Sequence, residues 1–405
     1  MFLILIMIFK GFKFQAGLIF FLALFFLSQN IHAAESYQVA INIAGVGTSQ
    51  QSYNNVLTAF DAFKESQIKQ VFPVYDNTQA VSLSLSGQGV VINYAFLVAN
   101  NNTLTIKIPA VGLDRTFTGA TRKESRDLAV NFLKANGYLA QILELINKNA
   151  IAKSVTDPIA GNPNSMLANM VENDFNQQFL WRISSQTPES TGVGAGYRLL
   201  VQEDQAQKIK SQSFTPFFRV QFDNALLSDM TVSMPLSLIE SETTQFKQAG
   251  LAISARKKVN DAWTIASGGA YSIGGSEKDA KLAQYGGLSI TSDYHLRIAG
   301  WQFAVGNMVG YYETFKIADY DINTVNTVFR NALVLSKSLE FSTASYYWDT
   351  FLIDTRYAGT PLATNNYQEV GVGLRGRSLN LNWRATASLI HGASNTTYFT
   401  FVLNQ

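Results

Sequence analysis

The chain has 405 residues, of which 47% are apolar and only 15% are charged. It contains no cysteine, which excludes disulfides, thiolate metal sites and a cysteine nucleophile. A formal net charge of +2 provides no basic surface for nucleic acid, and a mean hydropathy of +0.05 is too low for a bundle of membrane helices. The 28 glycines and 12% aromatic residues favour a large β-rich protein.

Residues 1–34 have the pattern of a secretory signal peptide. Lys10 and Lys13 precede an apolar run from Ala16 to Leu27, and small residues follow near Ala34. A permanent membrane anchor is the alternative, but the run is short for a span. We therefore expect cleavage near Ala34 and export of the mature protein.

Residues 35–153 predict a small α+β domain. Strand-like alternation occurs at 37–43, 81–85 and 92–108, the last with a predicted hairpin turn at Asn100–Asn102. Residues Asn54–Glu65 are predicted to form a short helix. Thr121 and Glu124 have the spacing of a capping box, which predicts a longer helix that is broken at Gly137 and then resumes.

Residues 154–191 predict a linker followed by an amphipathic helix. The segment Asp157–Pro163 is rich in proline and glycine, which is typical of a linker. After it, Ser165 can cap a helix that runs to about Trp181. Its apolar stripe is formed by Leu167, Val171 and Phe175. Its polar face is formed by Asn169, Glu172, Asn173, Asn176 and Gln177. At ~25 Å it matches the height of a barrel's apolar band. Two locations fit it equally well: the lumen of a barrel or the surface of the N-terminal domain.

Residues 192–405 alternate with period two, which is typical of strands. No helical periodicity follows Gly192, and the strands reach about ten residues. Short links also alternate with long ones, as in outer-membrane barrels. The short links are Lys258–Asp261, Ile298–Gly300, Ser336–Glu340 and Gly376–Ser378, and the long ones are Gly274–Ala283, Glu313–Thr327, Leu352–Asn366 and His391–Asn395. A soluble β-sandwich is the alternative.

The alternation predicts about twelve antiparallel strands. They begin near residues 192, 215, 229, 246, 261, 285, 300, 327, 339, 366, 379 and 396. Pro235 interrupts one of them because proline has no N–H to donate, and Phe341–Leu352 does not alternate cleanly. The predicted fold is thus an all-β transmembrane antiparallel barrel with a small N-terminal α+β domain and a linking helix.

With its leader, N-terminal region, helix and C-terminal barrel, the chain resembles a Gram-negative outer-membrane β-barrel. It is most similar to the twelve-stranded autotransporter-type translocator barrel. This resemblance implies an outer-membrane location, contact with outer-membrane lipid and insertion by the barrel assembly machinery. The family's last strand alternates apolar residues and ends in Phe or Trp. Here Phe399, Phe401 and Leu403 alternate, whereas Asn404 and Gln405 end the chain.

Seven arginines fall on the predicted lumen face, since a guanidinium facing lipid at the midplane costs about 2–4 kcal/mol. They are Arg198, Arg219, Arg256, Arg330, Arg375, Arg377 and Arg384. Asp293, His295 and Glu369 are predicted to share the lumen. The arginines either line an anion-preferring pore or pair with Asp223, Asp293, Glu369 and the helix inside a closed barrel. Pairing is favoured, because a twelve-stranded barrel is narrow.

No catalytic, cofactor or metal site is predicted. Histidine occurs only at His32, His295 and His391, and the first of these lies in the leader. Ser289, Asp293 and His295 share a strand face, but strand spacing alone does not give the geometry of a catalytic triad. His391 and Ser394 have the wrong spacing for the His-x-Ser motif of the twelve-stranded outer-membrane phospholipase.

Three functions are therefore considered. The leading hypothesis is a translocation or structural barrel without catalysis, which carries the N-terminal domain. The alternative is a diffusion channel for small, anionic solutes. An outer-membrane hydrolase is the third and requires His295 or His391.

Overall fold

The computed structural model describes residues 37–53, 56–182, 191–203, 208–222, 226–241, 245–276, 281–317, 320–341, 344–378, 381–392 and 395–404. The predicted signal peptide, Asp223 and Ser394 lie outside these ranges. None of the helices within these ranges is long and apolar enough to cross a membrane.

The N-terminal domain contains a six-stranded antiparallel sheet in the order β2-β1-β3-β4-β5-β6. Its strands are β1 (Tyr37–Ile43), β2 (Gly47–Tyr53), β3 (Val81–Gly87), β4 (Val90–Phe96), β5 (Thr103–Ile108) and β6 (Leu113–Thr118). One face is buried, as the burial of Val81, Leu83 and Leu85 on β3 illustrates. The sequence did not predict β2 and β6, because these edge strands carry few apolar residues.

Four helices accompany this sheet, and they are α1 (Val56–Asp61), α2 (Glu65–Val71), α3 (Arg122–Ala135) and α4 (Tyr138–Lys153). Thr121 caps α3 by accepting the Glu124 N–H at 3.1 Å. The Glu124 carboxylate accepts the N–H of Ala120 at 2.6 Å, one residue before the usual position of a capping box. Gly137 separates α3 from α4 with a φ of 73°, which glycine adopts without steric cost.

Twelve antiparallel strands close into a barrel, because the last segment pairs with the first along most of its length. The segments are β7 (Gly192–Glu203), β8 (Lys208–Gln221), β9 (Asp229–Ser233), β10 (Leu236–Glu240), β11 (Gln245–Lys258), β12 (Trp263–Ser276), β13 (Lys281–Ile298), β14 (Trp301–Thr314), β15 (Val325–Phe341), β16 (Ala344–Gly359), β17 (Asn366–Ser378), β18 (Leu381–His391) and β19 (Asn395–Asn404). Segments β9 and β10 form one barrel strand, since both pair with β8 and β11.

The break between β9 and β10 occurs at Met234 and Pro235. Proline cannot donate to the ladder, so regular pairing stops there and resumes at Leu236. The Met234 N–H donates to the Pro216 carbonyl at 3.0 Å, and the Pro235 carbonyl accepts from the N–H of Gly250 at 2.9 Å. The barrel therefore stays closed through this interruption.

The barrel has two distinct ends. The start of β7, the end of β19 and the tight turns lie at one end, which we call the terminal end. The links at 315–324 and 360–365 lie at the other, the long-loop end. Strands β15 and β16 are longer than predicted, so Ser336–Glu340 and the first half of Leu352–Asn366 belong to strands. Strand β16 continues because Thr355 and Tyr357 still pair with β15.

The outer surface of the barrel is apolar. Leu288 and Ile290 on β13 have 69% and 62% of their surface exposed, which suits contact with lipid and not with water. Exposed aromatic residues border this region, with Trp263 and Tyr294 toward the terminal end and Tyr311 toward the long-loop end. The predicted transmembrane β-barrel is therefore confirmed.

Candidate functional site in the barrel lumen

The segment that precedes the linking helix fills the long-loop mouth of the barrel. Residues 157–163 are buried, although their proline and glycine content predicted a linker. Lys281, the first residue of β13, donates to the Asp157 carboxylate at 2.6 Å. The Asn164 amide donates to Gln202 on β7 at 2.7 Å. The barrel wall thus holds this irregular segment in place.

The linking helix α5 (Met166–Phe175) lies inside the lumen, which decides between its two possible locations. Ser165 caps it by accepting the Ala168 N–H at 3.3 Å. A π-helical turn at Asn176–Leu180 extends it, and every residue from 166 to 182 is buried. Near the terminal end, the guanidinium of Arg182 pairs with Asp229 at the start of β9. The chain thus runs through the barrel from the long-loop end to the terminal end.

The polar face of α5 is buried because the lumen wall is itself polar. The Asn169 amide donates to Gln248 on β11 at 3.0 Å. The Gln178 amide donates to the Ser289 hydroxyl at 2.9 Å and accepts from the Thr291 hydroxyl at 2.6 Å. These bonds satisfy groups that would be costly to bury unpaired.

Glycines on the barrel wall make room for the aromatic end of the helical segment. A Cβ added at Gly306 would lie 2.7 Å from the Phe179 ring, and one at Gly196 would lie 2.8 Å from the Trp181 ring. Trp181 stacks on Phe217 with ring centroids 5.1 Å apart. The helical segment therefore fits the lumen because these wall positions are glycines, which have no side chain.

Charged residues of the helix and of the barrel wall pair inside the lumen. Glu172 of α5 accepts from Arg198 of β7 at 2.5 Å. Arg330 lies 3.3 Å from Glu369, whose other carboxylate oxygen accepts from the Ser388 hydroxyl at 2.7 Å. The sequence placed these three wall residues on the lumen face. Strand register brings Arg330 and Glu369 together, whereas the position of the helix gives Arg198 its partner.

Asp349 is shared by two arginines. Its two carboxylate oxygens lie 3.1 Å from Nε of Arg375 and 3.2 Å from Nε of Arg384. Arg384 also donates to the Leu180 carbonyl at 2.8 Å, so this group anchors the end of the helical segment. Asp349 was not predicted for the lumen, because it lies in the stretch that does not alternate cleanly: its inward neighbours Phe351 and Ile353 are apolar.

A second chain of charges lies toward the terminal end. Besides Arg182, Asp229 faces Arg256 at 3.8 Å, and Arg256 lies 3.5 Å from Asp293. His295 Nε2 lies 2.8 Å from Asp293, and the histidine side chain is 40% exposed. A strand was predicted to begin near residue 229, but Asp229 was not among the residues predicted for the lumen.

The remaining two predicted arginines differ in position. Arg219 is buried, and its guanidinium lies 5.8 Å from the ring centroid of Phe217. Arg377 is exposed near the end of β17, at the terminal rim and not in the lumen. The structure therefore brings six of the seven arginines inside the barrel.

Little free space remains around the helix. Two internal cavities, both lined in part by Glu172, Asn176 and Trp181, have volumes of about 20 Å³ each, which is room for about one water. Ser289 is engaged by Gln178 and lies beside the helix. Among the described residues, no group of three or more His, Asp or Glu side chains could hold a metal ion.

Comparisons with solved structures return outer-membrane barrels. The β domain of the Bordetella autotransporter BrkA is matched with a TM-score of 0.46 and 10% identity over 53% of this chain and 99% of that one. The translocator domain of the autotransporter NalP from Neisseria meningitidis is matched with a TM-score of 0.40 and 9% identity over 63% and 98%. An outer-membrane channel from Pseudomonas putida F1 is matched with a TM-score of 0.39 and 8% identity over 54% and 97%.

The chain is an outer-membrane-type β-barrel. Its closed ring of twelve strands and its apolar outer surface carry this conclusion, and the compared structures share this kind of architecture. No protein-family model and no curated protein matches the sequence.

Proposed function

We propose that this protein is a translocator-type barrel that displays its own N-terminal domain outside the outer membrane and performs no catalysis. The observation that supports this most is the direction of the chain through the lumen. The domain contacts the long-loop end, residues 166–182 run through the barrel, and β7 starts at the terminal end. A chain that passes through its own barrel in this way is expected of a domain that crossed the membrane through it.

The N-terminal domain docks on two loops at the long-loop end, 315–324 and 360–365. The Asn147 amide of α4 donates to the Tyr320 hydroxyl at 2.7 Å. Glu144 accepts the N–H of Asp321 at 2.7 Å, and the carbonyl of Ile151 accepts from the 360–365 link at 2.9 Å. Outer-membrane barrels have short periplasmic turns and longer extracellular loops, so this docking supports an extracellular domain.

A diffusion channel is less well supported, because the helix fills the lumen and five of the buried wall arginines, Arg198, Arg256, Arg330, Arg375 and Arg384, have carboxylate partners. The channel would require release of the helix, which would break the contacts of Glu172 and of Arg182. We therefore assign solute transport no part in the resting protein.

Protease shaving of intact cells tests the proposal. With an epitope tag in the loop at Asn77, we expect protease to remove the tag while the barrel stays intact. A tag in the tight turn at Ala299 and Gly300 serves as the control and should be protected. Protection of the Asn77 tag until the outer membrane is permeabilised would contradict the proposal and place the domain in the periplasm.

A further inference from the structure

One carboxylate in the lumen lacks the basic partner that the other buried carboxylates have. Among the described residues, the buried carboxylates that form ion pairs with an arginine or a lysine are Asp157 with Lys281, Glu172 with Arg198, Asp229 with Arg182, Asp293 with Arg256, Asp349 with Arg375, and Glu369 with Arg330. Asp174 on α5 is also buried, but it forms no ion pair in the described part of the chain.

Hydroxyl groups of the barrel wall surround Asp174. Its side chain is 3% exposed, and it accepts from the Tyr312 hydroxyl of β14 at 2.7 Å. The Ser289 hydroxyl of β13 lies beside the same carboxyl group. The Tyr312 ring packs over Gly287 and Gly310, where an added Cβ would overlap it. These hydroxyls can hydrogen-bond to the carboxyl group, but they cannot neutralise a negative charge.

The charged and titratable groups that face the lumen near Asp174 have partners elsewhere. The strands packed against α5 are β11 to β14, and the inward positions of β12 from Thr264 to Ser276 carry no titratable residue. On the other strands, the pairs are Arg256 with Asp293, His295 with Asp293, Lys281 with Asp157, Tyr285 with Thr324, Arg330 with Glu369, and Tyr357 with Tyr367. None of these groups supplies a cation for Asp174.

The lack of a cation makes the charge of Asp174 costly only while the helix is docked. An ionised carboxylate that is buried without a cation is strongly unfavourable, whereas the neutral acid needs only hydrogen bonds. On a helix withdrawn from the lumen, the same side chain would be in water and would ionise at about pH 3.9, as an ordinary aspartate does. The docked and withdrawn forms should therefore bind different numbers of protons.

We propose that docking of the lumen helix is coupled to protonation of Asp174, which makes the helix a plug that is held more tightly in acid. Below about pH 4, both forms hold the proton and docking is tightest. As the pH rises, the withdrawn form releases its proton first, so the docking equilibrium weakens by up to about tenfold per pH unit. The weakening ends at the pH where the docked form also releases the proton.

Hydrogen exchange of the full-length protein in lipid vesicles tests the proposal. The exchange rates of the α5 amides, corrected for the intrinsic rate at each pH, give the equilibrium constant for opening of the helix. We expect this opening constant to rise at least about tenfold between about pH 4.5 and about pH 8. The amides of β12 should stay protected over the same range, because the barrel itself does not open.

Two matched variants separate Asp174 from the other acids of the lumen. Asparagine keeps the shape and the carbonyl acceptor of aspartate, so Asp174→Asn should hold the helix in place and change its opening constant by less than about twofold over this pH range. Glu172→Gln alters a paired carboxylate on the same helix. It should raise the opening constant at every pH, because Arg198 loses its partner, and it should keep the pH dependence of the native chain.

Heat-modifiable mobility shows whether each variant still forms the barrel. His295 is present in both variants and in the native chain, so its titration cannot produce a difference between them. A pH dependence that persists in Asp174→Asn would overturn the proposal. An Asp174→Asn helix that opens as readily as the Glu172→Gln helix would also overturn it, because Asp174 would then stabilise the docked helix as a charged group.

Discussion

Glu172 on the lumen helix and Arg198 on the barrel wall form an ion pair of 2.5 Å in which the side chains are only 7% and 9% exposed. The pair joins the segment that passes through the barrel to the first strand of the barrel itself. Two charges taken out of water need this mutual contact, because either one alone would be a buried uncompensated charge. The pair therefore links helix position to barrel stability.

Arg198→Met should lower the free energy of unfolding by about 3–5 kcal/mol, because it leaves Glu172 buried without its cation. Denaturant unfolding in lipid vesicles measures this change. The double variant Glu172→Gln with Arg198→Met should recover most of the loss, since no lone charge remains. The exposed Arg377 provides the control, and its substitution by Met should change the free energy by no more than about 0.5 kcal/mol. Equal effects of the two arginine substitutions would rule out a role for the pair.

Gly306→Ala should destabilise the protein by about 1–3 kcal/mol through overpacking against Phe179. The new methyl group would lie 2.7 Å from that ring. Gly269→Ala is the matched control, because Gly269 faces outward and its nearest neighbour would be Leu288 at 3.4 Å. Phe179→Leu should relieve the Gly306→Ala defect. If both glycine variants unfold at the same denaturant concentration, the close fit of the helix is not required.

Replacing residues 166–182 by a Gly/Ser linker of equal length should open the lumen and produce a conducting pore. Among the described residues of the barrel strands, six arginines but only four carboxylates are buried. The open pore should therefore prefer anions, because unpaired guanidinium groups attract them. Planar-bilayer recordings measure the conductance and the reversal potential.

Adding Arg384→Glu to the linker variant should reduce or reverse the anion preference. The native chain should show little conductance under the same conditions. Cation preference in the linker variant, or no rise in conductance, would show that the buried arginines do not control the lumen.

The N-terminal domain should lose stability at alkaline pH through Tyr94. Burial raises the pKa of the Tyr94 phenol above its ordinary value of 10.0. The folded domain then keeps the proton that the unfolded chain releases near pH 10, so stabilisation is complete below that pH and is lost as the pH rises further.

Hydrogen exchange of β4 in the full-length protein, measured between about pH 8 and about pH 11, checks this expectation. Tyr94→Phe should flatten the alkaline loss of protection, because phenylalanine has no proton to release. An unchanged pH profile in Tyr94→Phe would assign the alkaline loss to another group.

The class of fold followed from the residue pattern alone. The strands predicted after Gly192 can span a bilayer in only one arrangement that leaves no unpaired strand edge in lipid, and this arrangement is a closed barrel. Local signals were equally reliable where their cause is local: Thr121 caps α3, Ser165 caps α5, and Ala299 and Gly300 form a tight turn. Strand ends were less predictable, because β15 and β16 extend as far as neighbouring strands can pair with them.

The contents of the lumen could be identified only from the packing of the folded chain. An amphipathic helix fits either a domain surface or a polar lumen, and the choice depends on the wall that faces it. The convergence of Arg375 and Arg384 on Asp349 likewise depends on the register of β16, β17 and β18. Residues far apart in sequence become partners only when strand pairing fixes their heights in the barrel, and period-two alternation carries no information about that height.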